Sequence, residues 1–164
     1  MEGPDQNEYK EICSSIVPGM VYLSGYLPAN NRALLDELAI THVIQIGDQD
    51  DFAVYIRHDD ITYMTIKIKD SLRSHFTVDL LNDAVAFIKG ATTPVLVHCR
   101  AGVSRSATVV MAYLISMCGM SYREAKMTVN EKRPCVSPNT TFLRDLLLYS
   151  SSIYSVPRSI QSNK

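Results

Sequence analysis

The amino-acid pattern predicts an α/β fold, with a central, mostly parallel sheet flanked by helices. Three observations predict it. Short β-rich apolar runs alternate with segments of helical period from one end of the chain to the other. Val95-Leu96-Val97 is continuously apolar, as a strand buried on both faces must be. Ser106–Cys118 is apolar nearly all round, which puts a helix inside the core rather than over it. The chain is 164 residues long, enough for one domain with a sizeable core.

Taken in order, Met20–Leu23 reads as a short strand, and Asn31–Ala39 as a helix with Leu34, Leu35 and Leu38 on one face. Val43-Ile44-Gln45-Ile46, closed by Gly47, is a strand. Ile61–Ile68 alternates, with Met64, Ile66 and Ile68 on one side, and ends at Asp70. Leu80, Leu81, Ala84, Val85, Phe87 and Ile88 recur at helical spacing within Thr77–Lys89. Pro94 introduces the central strand, and Gly119 is placed to end the core helix that follows it. Ser121-x-x-Glu124 has the form of a capping box opening the next helix. Pro138-Asn139 precedes a last helix whose buried face is Phe142, Leu143, Leu146 and Leu147. Residues 1–15 read as a flexible N-terminal segment, 16–154 as the folded domain, and 155–164 as a flexible C-terminal tail.

Composition narrows the function classes. Hydrophobic residues make up 46% and charged residues 20%, the profile of a soluble globular protein and not of a disordered chain. Sixteen Lys+Arg against 17 Asp+Glu give a net charge of −1, so nucleic acid is not an expected partner. The most apolar run, Ala107–Cys118, is too short to span a bilayer, and no membrane partner is expected. The N-terminus has neither a signal-peptide profile nor a myristoylation pattern. Cys13, Cys99, Cys118 and Cys135 are far apart, with no C-x-x-C pair and no zinc-ligand spacing. That usage points to a reducing compartment, cytoplasmic and also nuclear, and to no bound metal.

The chemistry concentrates between the central strand and the core helix, in His98-Cys99-Arg100-Ala101-Gly102-Val103-Ser104-Arg105-Ser106. A loop leaving the carboxyl end of a strand and entering a helix turns its backbone N–H groups into one concavity, an anion site. Gly102 lets the loop turn tightly, and Arg105 carries a planar fork of donors that matches two phosphate oxygens. A cysteine at the base of such a loop sits in positive potential that favours the thiolate. A thiolate under a phosphate cradle suggests attack on the phosphorus of a phosphomonoester. The loop lacks the Gly-Lys-[Ser/Thr] ending of a nucleotide P-loop, which sets ATPases and GTPases aside.

The run H-C-R-A-G-V-S-R-S-A-T, followed by Ala112-Tyr113-Leu114-Ile115, resembles the signature of the dual-specificity branch of the cysteine-dependent protein phosphatases. Val21-Tyr22-Leu23-Ser24-Gly25, Ile40-Thr41-His42-Val43-Ile44 and Arg133-Pro134-x-x-x-Pro138-Asn139 are similar to other runs of that family, so the resemblance covers Ile16–Tyr149. It implies a phosphotyrosine protein phosphatase-like fold and a metal-independent, cofactor-free phosphatase acting on phosphoproteins. It also implies roles. Cys99 would be the nucleophile and Arg105 the phosphate ligand. The loop Arg100, Ala101, Gly102, Val103, Ser104 and Arg105 would cradle the equatorial oxygens, and Ser106 would help the thiolate leave. His98 would tune Cys99 and Asn139 would brace the loop, although Asn139 also reads simply as an N-cap.

The family supplies a proton donor from a loop after another strand. Asp70 takes that place here, following the alternating run and preceding Cys99 as the resemblance implies. Asp48, Asp50 and Asp51 also follow a strand, and the pattern alone leaves them open. Asp59 and Asp60 precede a strand and belong at the wrong end of the sheet. Arg73 reads either as a contact for an acidic substrate flank or as a solvated side chain. Ala101 and Val103 stand where phosphoinositide phosphatases of the superfamily tend to carry lysine, which weakens a highly charged lipid substrate. The chain resembles the small, stand-alone members. Phosphomonoesters of RNA 5′ ends, sugars or lipids form one alternative substrate class, and a phospho-binding module is another reading. Oxidation of Cys99, with Cys118 or Cys135 as resolving thiol, is a corollary.

Overall fold

The computed structural model describes residues 6–155. Five strands form one sheet: β1 (Ser14–Val17), β2 (Val21–Ser24), β3 (His42–Gly47), β4 (Thr62–Lys67) and β5 (Val95–His98). Their order across the sheet is β1-β2-β5-β3-β4. β1 is antiparallel to β2, and the remaining pairs are parallel. β5 lies mid-sheet, as its unbroken apolar sequence requires, with every residue buried.

The helices are α1 (Tyr26–Asn30), α2 (Arg32–Glu37), α3 (Gln49–Phe52), α4 (Val78–Gly90), α5 (Arg105–Met117), α6 (Tyr122–Lys132) and α7 (Thr140–Tyr154). Strand alternation assigns the two faces. Val95 and Val97 join Ile44, Ile46 and Ile66 in a core with α4, α5, α6 and α7. Leu96 and Val43 point the other way, onto Ala29 of α1 and Leu35 of α2. α5 is buried continuously from Arg105 to Ile115, so its all-round apolar sequence is that of the central helix. The capping box on Ser121 and Glu124 is present, and Gly119 sits just past α5 at φ 67°. No helix among the described residues is long and apolar enough to cross a membrane.

Three expectations are corrected. The N-terminal boundary at residue 16 falls inside β1, and residues 6–9 form a 3₁₀ turn. Arg133 holds that segment: its guanidinium donates to Ile12 O at 2.9 Å and to Tyr9 O at 3.2 Å, a tether invisible in a polar sequence. The helix expected over Asn31–Ala39 covers only α2. Asn31 is its N-cap, accepting from Leu34 N, and Ala39 leaves it at φ 55°. In α7 the buried set is Phe142, Asp145, Leu146 and Tyr149, whereas Leu143 is half-buried and Leu147 is 49% exposed. The i, i+3, i+4, i+7 stripe from Phe142 passes through Asp145, and hydrophobicity alone substituted the neighbouring leucines. The tail from residue 156 onward lies outside the described residues.

Candidate active site

Residues 98–105 lie at the carboxyl end of β5, and their carbonyls are almost all accounted for. Arg100 O accepts from Tyr26 N at 3.2 Å, and Val103 O from Ser137 N at 2.9 Å. Ala101 O and Gly102 O accept from the Arg133 guanidinium at 3.3 and 2.8 Å. Ser104 O takes the N–H and the hydroxyl of Thr108. With these oxygens drawn outward, the loop N–H groups are left for the concavity, the arrangement an anion requires. Gly102 is demanded twice over. It sits at φ +67°, and a Cβ there would run into the backbone of Ser24 and Gly25. Gly25 is the reciprocal contact, since a Cβ on it would come within 3.0 Å of Arg100 O.

Cys99 is buried at the base of this loop, its Sγ 3.0 Å from Ser106 Oγ in the first turn of α5. His98 Nδ1 lies 3.2 Å from Cys99 O. Burial pulls the His98 pKa down to about 4 against a smaller opposing effect of that bond, so the ring is neutral at ordinary pH. Tyr55 packs edge-on to the His98 ring at 4.7 Å and donates its hydroxyl to Ile46 O. Burial, reinforced by Cys99 and Asp51, pushes the Tyr55 phenol above its ordinary range.

Arg105 is 6% exposed and donates to Asp51 Oδ2 at 2.6 Å and to Ile68 O at 3.1 Å. Its Nε is buried and makes no hydrogen bond among the described residues. Burial opposes its charge, but Cys99 and Asp51 outweigh burial and raise the guanidinium pKa further. Asp51 also faces Arg100 at 3.6 Å. Asp51 is therefore the partner of Arg105, while Asp48 caps α3 and Asp50 is exposed. Asp60 pairs with Arg32 away from the loop.

Asp70 stands at the loop's rim. Its Oδ1 accepts from Ser104 Oγ at 3.1 Å and from Asn139 Nδ2 at 2.8 Å. Asn139 both caps α7, accepting from Phe142 N, and braces the loop, its N–H donating to Ser104 Oγ. The segment after Asp70 is stapled to α7: Thr141 Oγ1 donates to Leu72 O, and Asp145 accepts from Phe76 N and lies 3.0 Å from His75 Nδ1. Arg73 is exposed.

The fold thus brings Asp70 and Asn139 to Ser104, and Ser106 to Cys99, beside His98 and the 100–105 loop at the carboxyl end of β5. Sequence reasoning missed Asp51, Tyr55, Arg133 and Asp145. Asp51 was among the open carboxylates, and only the geometry shows it as the partner of Arg105. The exposed Cys118 lies at the far end of α5, about 20 Å of helix from the loop, beyond the reach of a disulfide to Cys99. Cys135 is buried.

The neutral His98 has a consequence for stability. Below pH 6.5 the unfolded chain binds a proton at this histidine that the folded chain resists until about pH 4. Stability contributed by the neutral ring is full above pH 6.5 and is lost as pH falls toward 4. The slope from this group approaches about 1.4 kcal/mol per pH unit. Urea titrations of wild type and His98→Gln across this range should give a smaller acid slope in the variant.

Residues 21–152 match the family model described as dual specificity phosphatase, catalytic domain. Dual specificity protein phosphatase Mpk3 of Drosophila melanogaster is 35% identical over 157 residues, covering 92% of this chain but only 37% of the relative. Dual specificity protein phosphatase 18 of Homo sapiens is 32% identical over 136 residues, covering 82% of this chain and 71% of the relative. Among solved structures, human tyrosine phosphatase-like serine/threonine/tyrosine-interacting protein superposes with a TM-score of 0.82 at 31% identity, over 88% of this chain and 98% of that one. DUSP15 superposes with a TM-score of 0.79 at 26% identity, over 93% and 96%.

Proposed function

Since this chain belongs to the dual specificity phosphatase family, we propose that it hydrolyses phosphomonoesters on protein tyrosine and serine/threonine through a phosphocysteine intermediate. The observation that carries this reading is Cys99 Sγ at the base of a loop whose carbonyls are tied outward, with Ser106 Oγ 3.0 Å away. The Cys99 thiolate attacks phosphorus and forms an S–P bond as the P–O bond to the leaving group breaks. The loop N–H groups and Arg105 hold the equatorial oxygens where charge develops. Asp70, acting as the acid, gives its proton to the departing oxygen. Its Oδ2 makes no hydrogen bond among the described residues, so that oxygen is available for the transfer. Water then attacks the phosphocysteine, Asp70 takes the water's proton, and the S–P bond breaks to release inorganic phosphate. The Ser106 hydroxyl stabilises the thiolate as it departs. No step draws on a cofactor or metal. We place the activity in the cytosol and nucleus, a reading supported by four unpaired cysteines.

The test is to mix the protein with a small aryl phosphate in excess chelator, quench in acid and map the mass of the phosphoryl group. Chelator-resistant turnover with the label on the Cys99 peptide is the expected result. A protein that binds phosphopeptide without turnover would be a recognition module, and the enzymatic reading would be withdrawn.

A further inference from the structure

A second cavity, of about 710 Å³, opens beside the phosphate loop at the β3–β4 side of the sheet. Gln45 and Thr65, joined by a 2.9 Å hydrogen bond, line it together with the aromatic rings of Phe52 and Tyr55. Arg57, Lys67 and Lys69 also line it. The cavity shares walls with the site above. Ile68 lines it, and the Ile68 carbonyl accepts from Arg105 at 3.1 Å. Tyr55 faces the cavity and packs against His98 at 4.7 Å. Lys69 immediately precedes Asp70.

The charge here is not balanced. Lys67 and Lys69 have no ion pair among the described residues, and both are exposed. The Arg57 guanidinium lies over the Tyr63 ring at 4.5 Å and reaches only the Thr65 hydroxyl, at 3.5 Å. The one carboxylate lining the cavity, Asp48, uses Oδ1 to cap α3. Three cations face a single committed acid, beside an arginine shaped to hold phosphate.

We propose that this cavity receives the acidic flank of a phosphopeptide: a carboxylate side chain near the phosphorylated residue docks against Arg57, Lys67 and Lys69 while the phosphate lies over Cys99. The proposal rests on the phosphatase reading and names the substrate class of that site. The phenyl and phenol rings suit the methylenes of a Glu or Asp side chain. Asp48 and the lysine-free interior of the phosphate loop disfavour a headgroup carrying several phosphates.

The experiment compares phosphotyrosine peptides that carry one glutamate at successive positions with the same peptides carrying glutamine. Binding to the Cys99→Ser protein is read by fluorescence anisotropy, and kcat/KM is read on wild type. At the best position glutamate should improve both by about tenfold at low salt, from two or three partly exposed ion pairs, and the gain should shrink as salt rises. Lys67→Glu, an exchange on an exposed strand position, should abolish or invert the glutamate preference, and Arg57→Gln should reduce it. A preference absent at every position, or unchanged in both variants, overturns the proposal. A loss confined to a soluble phosphoinositide would assign the cavity to a lipid headgroup instead and equally overturn it. Failure of wild type to hydrolyse any aryl phosphate would strike the phosphatase reading alone, because the anisotropy comparison does not depend on turnover.

Discussion

Cys99→Ser is expected to lower kcat/KM for aryl phosphates by about 10⁴-fold or more, and Asp70→Asn by about 10²-fold. The serine is nearly isosteric and can keep the contact with Ser106 Oγ, now at 3.0 Å from sulfur, so the fold should survive. What disappears is the nucleophile: a serine hydroxyl attacks phosphorus far less readily than the sulfur it replaces. Asp70→Asn removes the transferable proton but retains an oxygen that can accept from Ser104 and Asn139. The two losses separate with leaving group. A nitrophenolate departs without help, whereas phenolate and alkoxide need the proton, so the Asp70→Asn deficit should widen as the leaving group becomes more basic. The Cys99→Ser deficit should not depend on it in that way. An Asp70→Asn deficit that is equal across the series would make Asp70 a positioning residue for the Ser104 corner rather than the acid.

The difference between what could be read from the sequence and what could not has a physical basis. The phosphate loop was legible because its parts are contiguous. A central strand, a turn that only Gly102 can make, and a helix entrance sit within one short run, and local geometry dictates that they form an anion site. The central place of β5 followed from its continuously apolar sequence, and the two capping signals at Ser121 and Asn139 acted where they stand in the chain. Asp51 was not legible as the partner of Arg105, because the two are 54 residues apart and several carboxylates follow β3. Asp145 was hidden for another reason. A carboxylate on the buried face of α7 contradicts hydrophobic patterning, and its burial is compensated because it accepts from Phe76 N at 2.9 Å, which ties the segment following Asp70 to α7. Long-range polar contacts of this kind leave no periodic trace, and they are what gives the loop and the acid a common frame.

Arg133 carries the second large effect. It is completely buried, and the described residues supply it no carboxylate. Its charge is instead spread over Gly102 O, Ala101 O, Ile12 O, Tyr9 O and Ser14 Oγ. Burial lowers its pKa, yet the group stays within a range where it is charged at ordinary pH. One guanidinium therefore ties the back of the phosphate loop to the segment leading into β1. Arg133→Met fills much of the volume but leaves those carbonyls without donors, and it should destabilise the protein by about 3–5 kcal/mol in urea unfolding. Turnover per folded molecule should fall as well, since Ala101 O and Gly102 O lose the partners that draw them away from the concavity. Arg133→Lys keeps the charge but offers a single point donor in place of a fork, so it should lie between the two. The chain ahead of β1 should become cleavable by protease in Arg133→Met before the rest of the domain does, because Tyr9 and Ile12 are held through the same side chain. A variant within about 1 kcal/mol of wild type, with unchanged kcat/KM, would mean that Tyr26 N, Ser137 N and Thr108 suffice to hold the loop open for phosphate.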